Sequence, residues 1–430
     1  MINEEETILK IFKNLTEQEN AWVLYDVGNS AFTMLACSLI PIWFKSIAVG
    51  GEAGQLSGDR ATAMWALAIA IATVLVALLG PFFGSVADHK DTRRLLFTTA
   101  VSAGCLFCIF TGMASSWFIF LLLFILTKVF YQASLTFYDS MLVDVTTEER
   151  SDEVSSYGYA WGYLGSCIPF IVALVSYVLG PDMAGILPGN ISKIIGFSVT
   201  AIWWFVVSVP LIRNYRQKNY VEGEIRAGSA FLKIFSTIRK IVKKDRKVMF
   251  FLIAFFLYID GVGTIIDNCI NVGTDLGLNT VGQVIFLLLT QVVAFCGSLV
   301  FAKLSRKHET IPLLKICIAG YIVVCIYALF IHTIWDFGIM AFIVGCFQGS
   351  IQSLSRSYYS RIIPAENAGE YFGLYDIFAK GASFLGSAVI AAVKFAGGTI
   401  NLALALLAVF FVLGFLFLGV ADKTPERVSL

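Results

Sequence analysis

Twelve apolar runs, each long enough to cross a bilayer as a helix of about 20 residues, dominate this chain of 430 residues. They lie near 22–44, 61–84, 95–113, 117–141, 157–179, 194–212, 247–270, 281–302, 311–331, 336–359, 371–394 and 398–420. Inside hydrocarbon a backbone must satisfy its own hydrogen bonds, which leaves only helices and closed barrels. No run alternates with a period of two between regular turns, so the pattern predicts an all-α membrane protein. Composition agrees: 58% of the residues are hydrophobic and 14% charged, against roughly 25% charged in soluble domains. Such a chain cannot cover itself with polar surface as a soluble enzyme or disordered protein does. A net charge of +1 offers no basic face to a nucleic acid.

The nine cysteines all lie in apolar stretches, which reads as packing rather than a disulfide framework. The acidic first twenty residues do not resemble a cleavable leader. Most of the 31 Lys and Arg fall in the alternate loops that share a side with both termini, while the other side holds Lys45, Arg60, Lys193 and Lys394. The positive-inside bias therefore predicts both termini in the cytoplasm of a cell membrane, or of a vacuolar membrane in a eukaryote.

The longest polar break, 213–246, is the most basic segment. Within it Phe231, Ile234, Phe235, Ile238, Ile241 and Val242 recur at helical spacing opposite Lys233, Arg239, Lys240, Lys243 and Lys244. An amphipathic helix on an anionic leaflet is expected there. The break divides the chain into a six-helix bundle over 1–212, a linker over 213–246 and a second six-helix bundle over 247–430. Tyr138-x-Ser140-x-Leu142-Val143 is answered by Tyr358-x-Ser360-x-Ile362-Ile363, and Leu164-Gly165-Ser166 by Leu385-Gly386-Ser387. Such matches suit parallel repeats related by an axis along the membrane normal.

The turn Gly84-Ser-Val-Ala-Asp88-His-Lys-Asp-Thr-Arg93-Arg94 resembles the signature loop of the major facilitator superfamily. Trp22-x-x-Tyr25-Asp26-x-x-Asn29, Tyr258-Ile-Asp260-Gly261, Gln348-Gly-Ser-Ile-Gln352-Ser-Leu-Ser355-Arg356 and Glu370-Tyr-Phe-Gly373 are similar to its vacuole-effluxer-like branch, which includes autophagy-related amino-acid effluxers. The resemblance implies twelve helices in two pseudo-symmetric bundles, and a latch role for Asp88 with Arg93. Asp91 stands where the signature has glycine, which puts the tight turn in question.

Charges inside spans sharpen the reading, because each unpaired one costs roughly 2.5–3.5 kcal/mol at mid-bilayer. Nine ionisable residues fall there: Asp26, Lys128, Asp139, Asp260, Asp267, Lys315, Arg356, Asp376 and Lys380. Asp26, Asp139, Arg356 and Asp376 lie toward the cytoplasmic ends and could form an ion-pair gate, with Asn29 counted beside Asp26. A permanent structural pairing of the same groups stays open. Lys128, Tyr131, Gln132, Asp260, Gln291, Gln348 and Lys380 lie near the middle as candidate substrate contacts, although Asp376 and Lys380 could pair within one helix. Asp260 and Asp267, seven apart on one face, are candidates for coupling to a proton or to sodium. Lys315 is near enough to a helix end to snorkel.

No GxxxxGK[ST] phosphate loop, HExxH helix or GxSxG elbow is present, so no enzymatic activity, cofactor or metal is expected. The expected function is secondary active transport of a small polar solute, amino acids or short peptides first, by a monomer working through alternating access. A carrier of sugars or other organic solutes, or an uncoupled channel or scramblase, is the alternative.

Overall fold

The computed structural model describes residues 15–50, 56–181, 183–223, 227–275, 277, 280–381 and 384–425; the side chains of 227–234 and a few other helix residues, including Lys380, lie outside that description. In chain order the helices are α1 (Glu17–Cys37), α2 (Leu39–Gly50), α3 (Gly58–Ala87), α4 (Thr92–Met113), α5 (Trp117–Ser140), the single turn α6 (Leu142–Val145), α7 (Ser151–Val178) and α8 (Gly189–Asn214). The linker helix α9 (Ala227–Lys243) follows. Then come α10 (Arg246–Asp275), α11 (Thr280–Leu304), α12 (Thr310–Ala328), α13 (Ile334–Ile362), α14 (Ala368–Gly381), α15 (Phe384–Phe395), α16 (Ile400–Leu406) and α17 (Ala408–Lys423).

Among the described residues, ten helical segments are long and apolar enough to cross a membrane unaided, α16 with α17 counting as one, and the bent pair α1–α2 makes an eleventh crossing. The first apolar run therefore does not form one straight rod. It bends by 42° after Cys37, because Pro41 has no N–H to give the Cys37 carbonyl and its ring crowds that oxygen. Of the run expected at 371–394, helix is described on either side of residues 382–383, as α14 and α15.

Buried apolar side chains separate into two clusters, one drawn from Leu15 to Tyr215 and the other from Ile241 to Ala421. The clusters meet along α3 against α14 and along α7 against α11 and α13. The α3–α14 seam is built on glycine. A Cβ at Gly84 would stand 2.1 Å from the Gly369 carbonyl oxygen, and one at Gly373 would stand 2.6 Å from Pro81 Cα. Only residues without side chains let two backbones approach so closely.

The ends of α3, α5, α8, α11, α13 and the starts of α1, α10 and α14 share one face of the molecule with α9; this face is called the linker side. On α9, Ile241 and Thr237 turn inward, whereas Phe235 is 71% exposed, and Ile238, Val242, Arg239, Lys243 and Lys244 are exposed with it.

Candidate functional site

Arg356, on α13, is buried in the seam between the halves. Its guanidinium donates to Asp139 on α5 at 3.0 Å, to Asp26 on α1 at 3.1 Å, and to the Ser155 hydroxyl and carbonyl on α7 at 3.0 and 3.2 Å. Three rings surround it: Trp22 at 4.5 Å, Tyr159 at 4.6 Å and Tyr138 at 5.3 Å from the guanidinium carbon. Asn29 donates to the free oxygen of Asp26 at 3.1 Å, and the Trp22 indole donates to the Tyr138 carbonyl at 3.0 Å. With four of its five N–H donors engaged, the Arg is in the form in which a buried ion pair is tolerated. Asp376 does not join Arg356 by hydrogen bond or ion pair; it accepts from the Thr136 hydroxyl of α5, a second crossing between the halves.

Asp88 and Arg93, both fully buried, form a further crossing. Asp88 accepts from the backbone N–H groups of Gly369 at 2.6 Å and Glu370 at 2.9 Å, at the start of α14. A carboxylate at a helix N-terminus satisfies donors that the helix leaves unpaired and meets its positive end. Burial pushes the Asp88 carboxyl up to about 6, against the pull of Arg93 and the two amides, so it carries charge at neutral pH. Arg93 donates to Asp88 at 2.9 Å and to Asp144 at 2.7 Å.

Asp144 escapes the sequence pattern, yet it is the best-supplied acceptor on this side. Besides Arg93, it accepts from the Tyr215 hydroxyl, the backbone N–H groups of Lys218 and Asn219, and the Asn219 amide. Residues 215–221 thereby strap the beginning of the linker over the α3–α4 turn, where the Val221 N–H donates to the Asp88 carbonyl at 2.7 Å. The turn itself forms despite Asp91, which adopts the left-handed conformation, φ 60°. Asp and Asn tolerate that region better than other residues with a Cβ. Accordingly, Asp91→Gly should leave the melting temperature level or slightly raised, while Asp91→Val should lower stability by about 1–2 kcal/mol; a thermal melt distinguishes the two.

Further crossings on the linker side join Glu153 to Arg306 at 2.5 Å, Asp152 to Thr310, Ser357 and Arg361, and Ser155 to the Ser353 carbonyl. Among the described residues, the ion pairs and most hydrogen bonds between the halves lie in the linker-side portion of the molecule; the Tyr163 hydroxyl, in reach of Gln348 nearer the middle, is an exception.

The groups expected near the middle are more dispersed. Lys128 is half-buried and makes no ion pair among the described residues, but its charge is felt by Asp267 of α10 and by Cys37. Asp267 is exposed. Tyr131 packs on Phe32 and Trp204 within the first core, with its hydroxyl engaged by Thr33 and Asn29. Gln132, Gln291 and Gln348 are buried, and the Tyr163 hydroxyl is in reach of Gln348. Asp260 is buried against the start of α15: one carboxylate oxygen accepts from the Leu385 N–H at 3.2 Å, and the other has no hydrogen-bond partner among the described residues. Gly386 leaves room for it, since a Cβ there would stand 2.9 Å from that second oxygen. Lys380 is in α14, but its side chain lies outside the described residues. Lys315 reaches a helix end and pairs with Asp422 at 3.2 Å.

Long apolar helices, two cores and a polar lock on one side define a multi-pass membrane transporter of the major facilitator fold. The Escherichia coli fucose:proton symporter has this fold, superposing with a TM-score of 0.72 at 15% identity over 95% of this chain and 98% of its own. The sequence profile described as "Vacuole effluxer Atg22 like" matches residues 16–428, and the chain belongs to that family. The MFS-type transporter YxiO of Bacillus subtilis is 36% identical over 97% of this chain and 98% of its own length. Autophagy-related protein 22-1 of Aspergillus clavatus is 24% identical over 63% of this chain, which covers 49% of that fungal protein. The chain is a transporter and not an enzyme.

Proposed function

We propose that the protein is a monomeric secondary carrier that moves a small polar solute, amino acids or short peptides first, by alternating access between two six-helix bundles. The bundles are residues 1–212 and 247–430, giving twelve crossings once α14 and α15 are counted together as one. The observation that carries this reading is the gathering of the ion pairs between the halves on the linker side: one gate is shut there, and among the described residues no comparable lock holds the other side. The linker side is taken as cytoplasmic on the positive-inside bias. The exposed apolar and basic groups of α9 support its lying on the anionic leaflet. The name of the matched family favours movement by efflux.

Lys128, Gln132, Gln291, Gln348 and Lys380 are assigned to substrate contact, with Tyr131 supporting them from behind. Asp260 and Asp267 are assigned to ion coupling, proton before sodium. Asp26, Asn29, Asp88, Arg93, Asp139, Arg356 and Asp376 are assigned to the gate. Purified protein in proteoliposomes should accumulate solute only under an imposed proton or sodium gradient. Asp260→Asn should abolish that accumulation and leave counterflow exchange, because asparagine keeps an acceptor for the Leu385 N–H but carries no charge. Undiminished accumulation in the variant removes Asp260 from coupling, and flux indifferent to both gradients removes coupling altogether.

A further inference from the structure

The groups that hydrogen-bond Arg356 or face it with a ring come from the first half of the chain: Trp22, Asp26, Tyr138, Asp139, Ser155 and Tyr159. The occupant comes from the second half, as does Tyr375 of α14, which also acts on Arg356 and Asp139. A planar cation lies between rings at 4.5 and 4.6 Å, with two carboxylates and a carbonyl at hydrogen-bond distance around its edge. The floor is Gly158, where a Cβ would stand 2.4 Å from the Asp26 carboxylate and 3.3 Å from the guanidinium. On the alternating-access reading, Arg356 must leave when the halves part on the linker side, and the pocket stays with the first half. Asp26 and Asp139 then lose their counter-charge together. Water or a sodium ion could hydrate the carboxylates, but neither uses three aromatic faces; an organic cation uses both.

We propose that Arg356 occupies an organic-cation subsite as a tethered competitor, and that in the linker-open state this subsite receives the guanidinium or ammonium group of a transported solute. Asp139 is the next-to-last residue of α5, which places the subsite at the linker-side mouth of the path. Cargo arriving there hinders Arg356 from returning, so release of the cation and closure of the gate are linked. Asp376, whose charge also acts on Asp139, belongs to α14 and departs with the second half.

The probes are methylguanidinium and tetramethylammonium chloride, compared with sodium chloride at equal ionic strength. Methylguanidinium at millimolar concentration should raise the melting temperature of full-length Arg356→Ala and leave the wild type, whose pocket is filled, unmoved. Adding Asp26→Asn to Arg356→Ala should weaken the response at least tenfold. Should Arg356→Ala fail to fold, wild-type proteoliposomes give the same test. Methylguanidinium should inhibit at least tenfold more strongly from the linker side than from the other, and Tyr159→Leu should erase that difference. Stabilisation by sodium equal to that by methylguanidinium, or inhibition unaffected by Tyr159→Leu, overturns the subsite. Intact transport with no probe binding defeats the subsite alone. Probe binding without transport of any solute defeats the carrier reading and leaves the subsite standing.

Discussion

Gly84→Ala is expected to open the linker side. The added methyl carbon would lie 2.1 Å from the Gly369 carbonyl oxygen and 2.7 Å from its carbon. Both are backbone atoms of a helix and cannot rotate away, so α3 and α14 must separate. The reverse substitution, Gly369→Ala, meets the Gly84 oxygen at 2.4 Å and Asp88 at 2.8 Å. Overpacking of this kind costs about 1–3 kcal/mol, and the cost falls only on the state in which the seam is closed. Each half keeps its own core, so the gate equilibrium moves while the fold survives. A difference of that size shifts a two-state population roughly 5- to 150-fold. Labelling of a cysteine placed at Ser353, in a background cleared of the native thiols, should accelerate about tenfold or more with an impermeant maleimide applied from the linker side. Unchanged labelling in both alanine variants would show that the seam tolerates the methyl group and does not set the gate.

Much of this architecture is written locally in the chain. Apolar runs mark spans because hydrocarbon demands helices, and the rarity of charge within them singled out Asp26, Asp139 and Arg356 before any contact was known. Gly84, Asp88 and Arg93 were legible through their loop signature. What was not legible depends on partners distant in sequence. Asp144 reads as one more acid in a polar turn, because its five donors come from Arg93 and from a linker segment without periodicity. A signal was present in the duplication. The second copy has Pro364 where the first has Asp144, and the loop after α11 has also lost the glycine and aspartate of its counterpart. Loss of those members in one copy and their retention in the other marks a latch that serves one half. Asp260 could be placed by depth but not by partner, because the Leu385 N–H that it meets lies 125 residues away in the chain.

Arg93→Leu should cost more stability than any other single change on the linker side. Its guanidinium is fully buried between Asp88 and Asp144, and also donates to the Ser140 carbonyl at 3.2 Å. Removing the cation leaves two buried carboxylates facing one another without compensation, for which about 3–5 kcal/mol is the usual loss. Arg93→Lys should recover only part of it, since one ammonium cannot serve both acids with the geometry of a fork. Combining Arg93→Leu with Asp88→Asn and Asp144→Asn should recover most of it, because no uncompensated charge remains. The deficit should also depend on pH, with a definite sign. Asp88 already lies at about 6 through burial, with Arg93 pulling it down, so loss of Arg93 raises it further. An acid whose folded value exceeds its unfolded value of about 3.9 binds its proton more tightly when folded. Its contribution is complete at low pH and is lost as the pH rises through the folded value. Melting temperatures of Arg93→Leu and wild type should therefore differ most near pH 8 and converge toward pH 5. A deficit constant across that range would mean that Arg93 acts by filling space between α4, α5 and the linker strap rather than by holding two charges.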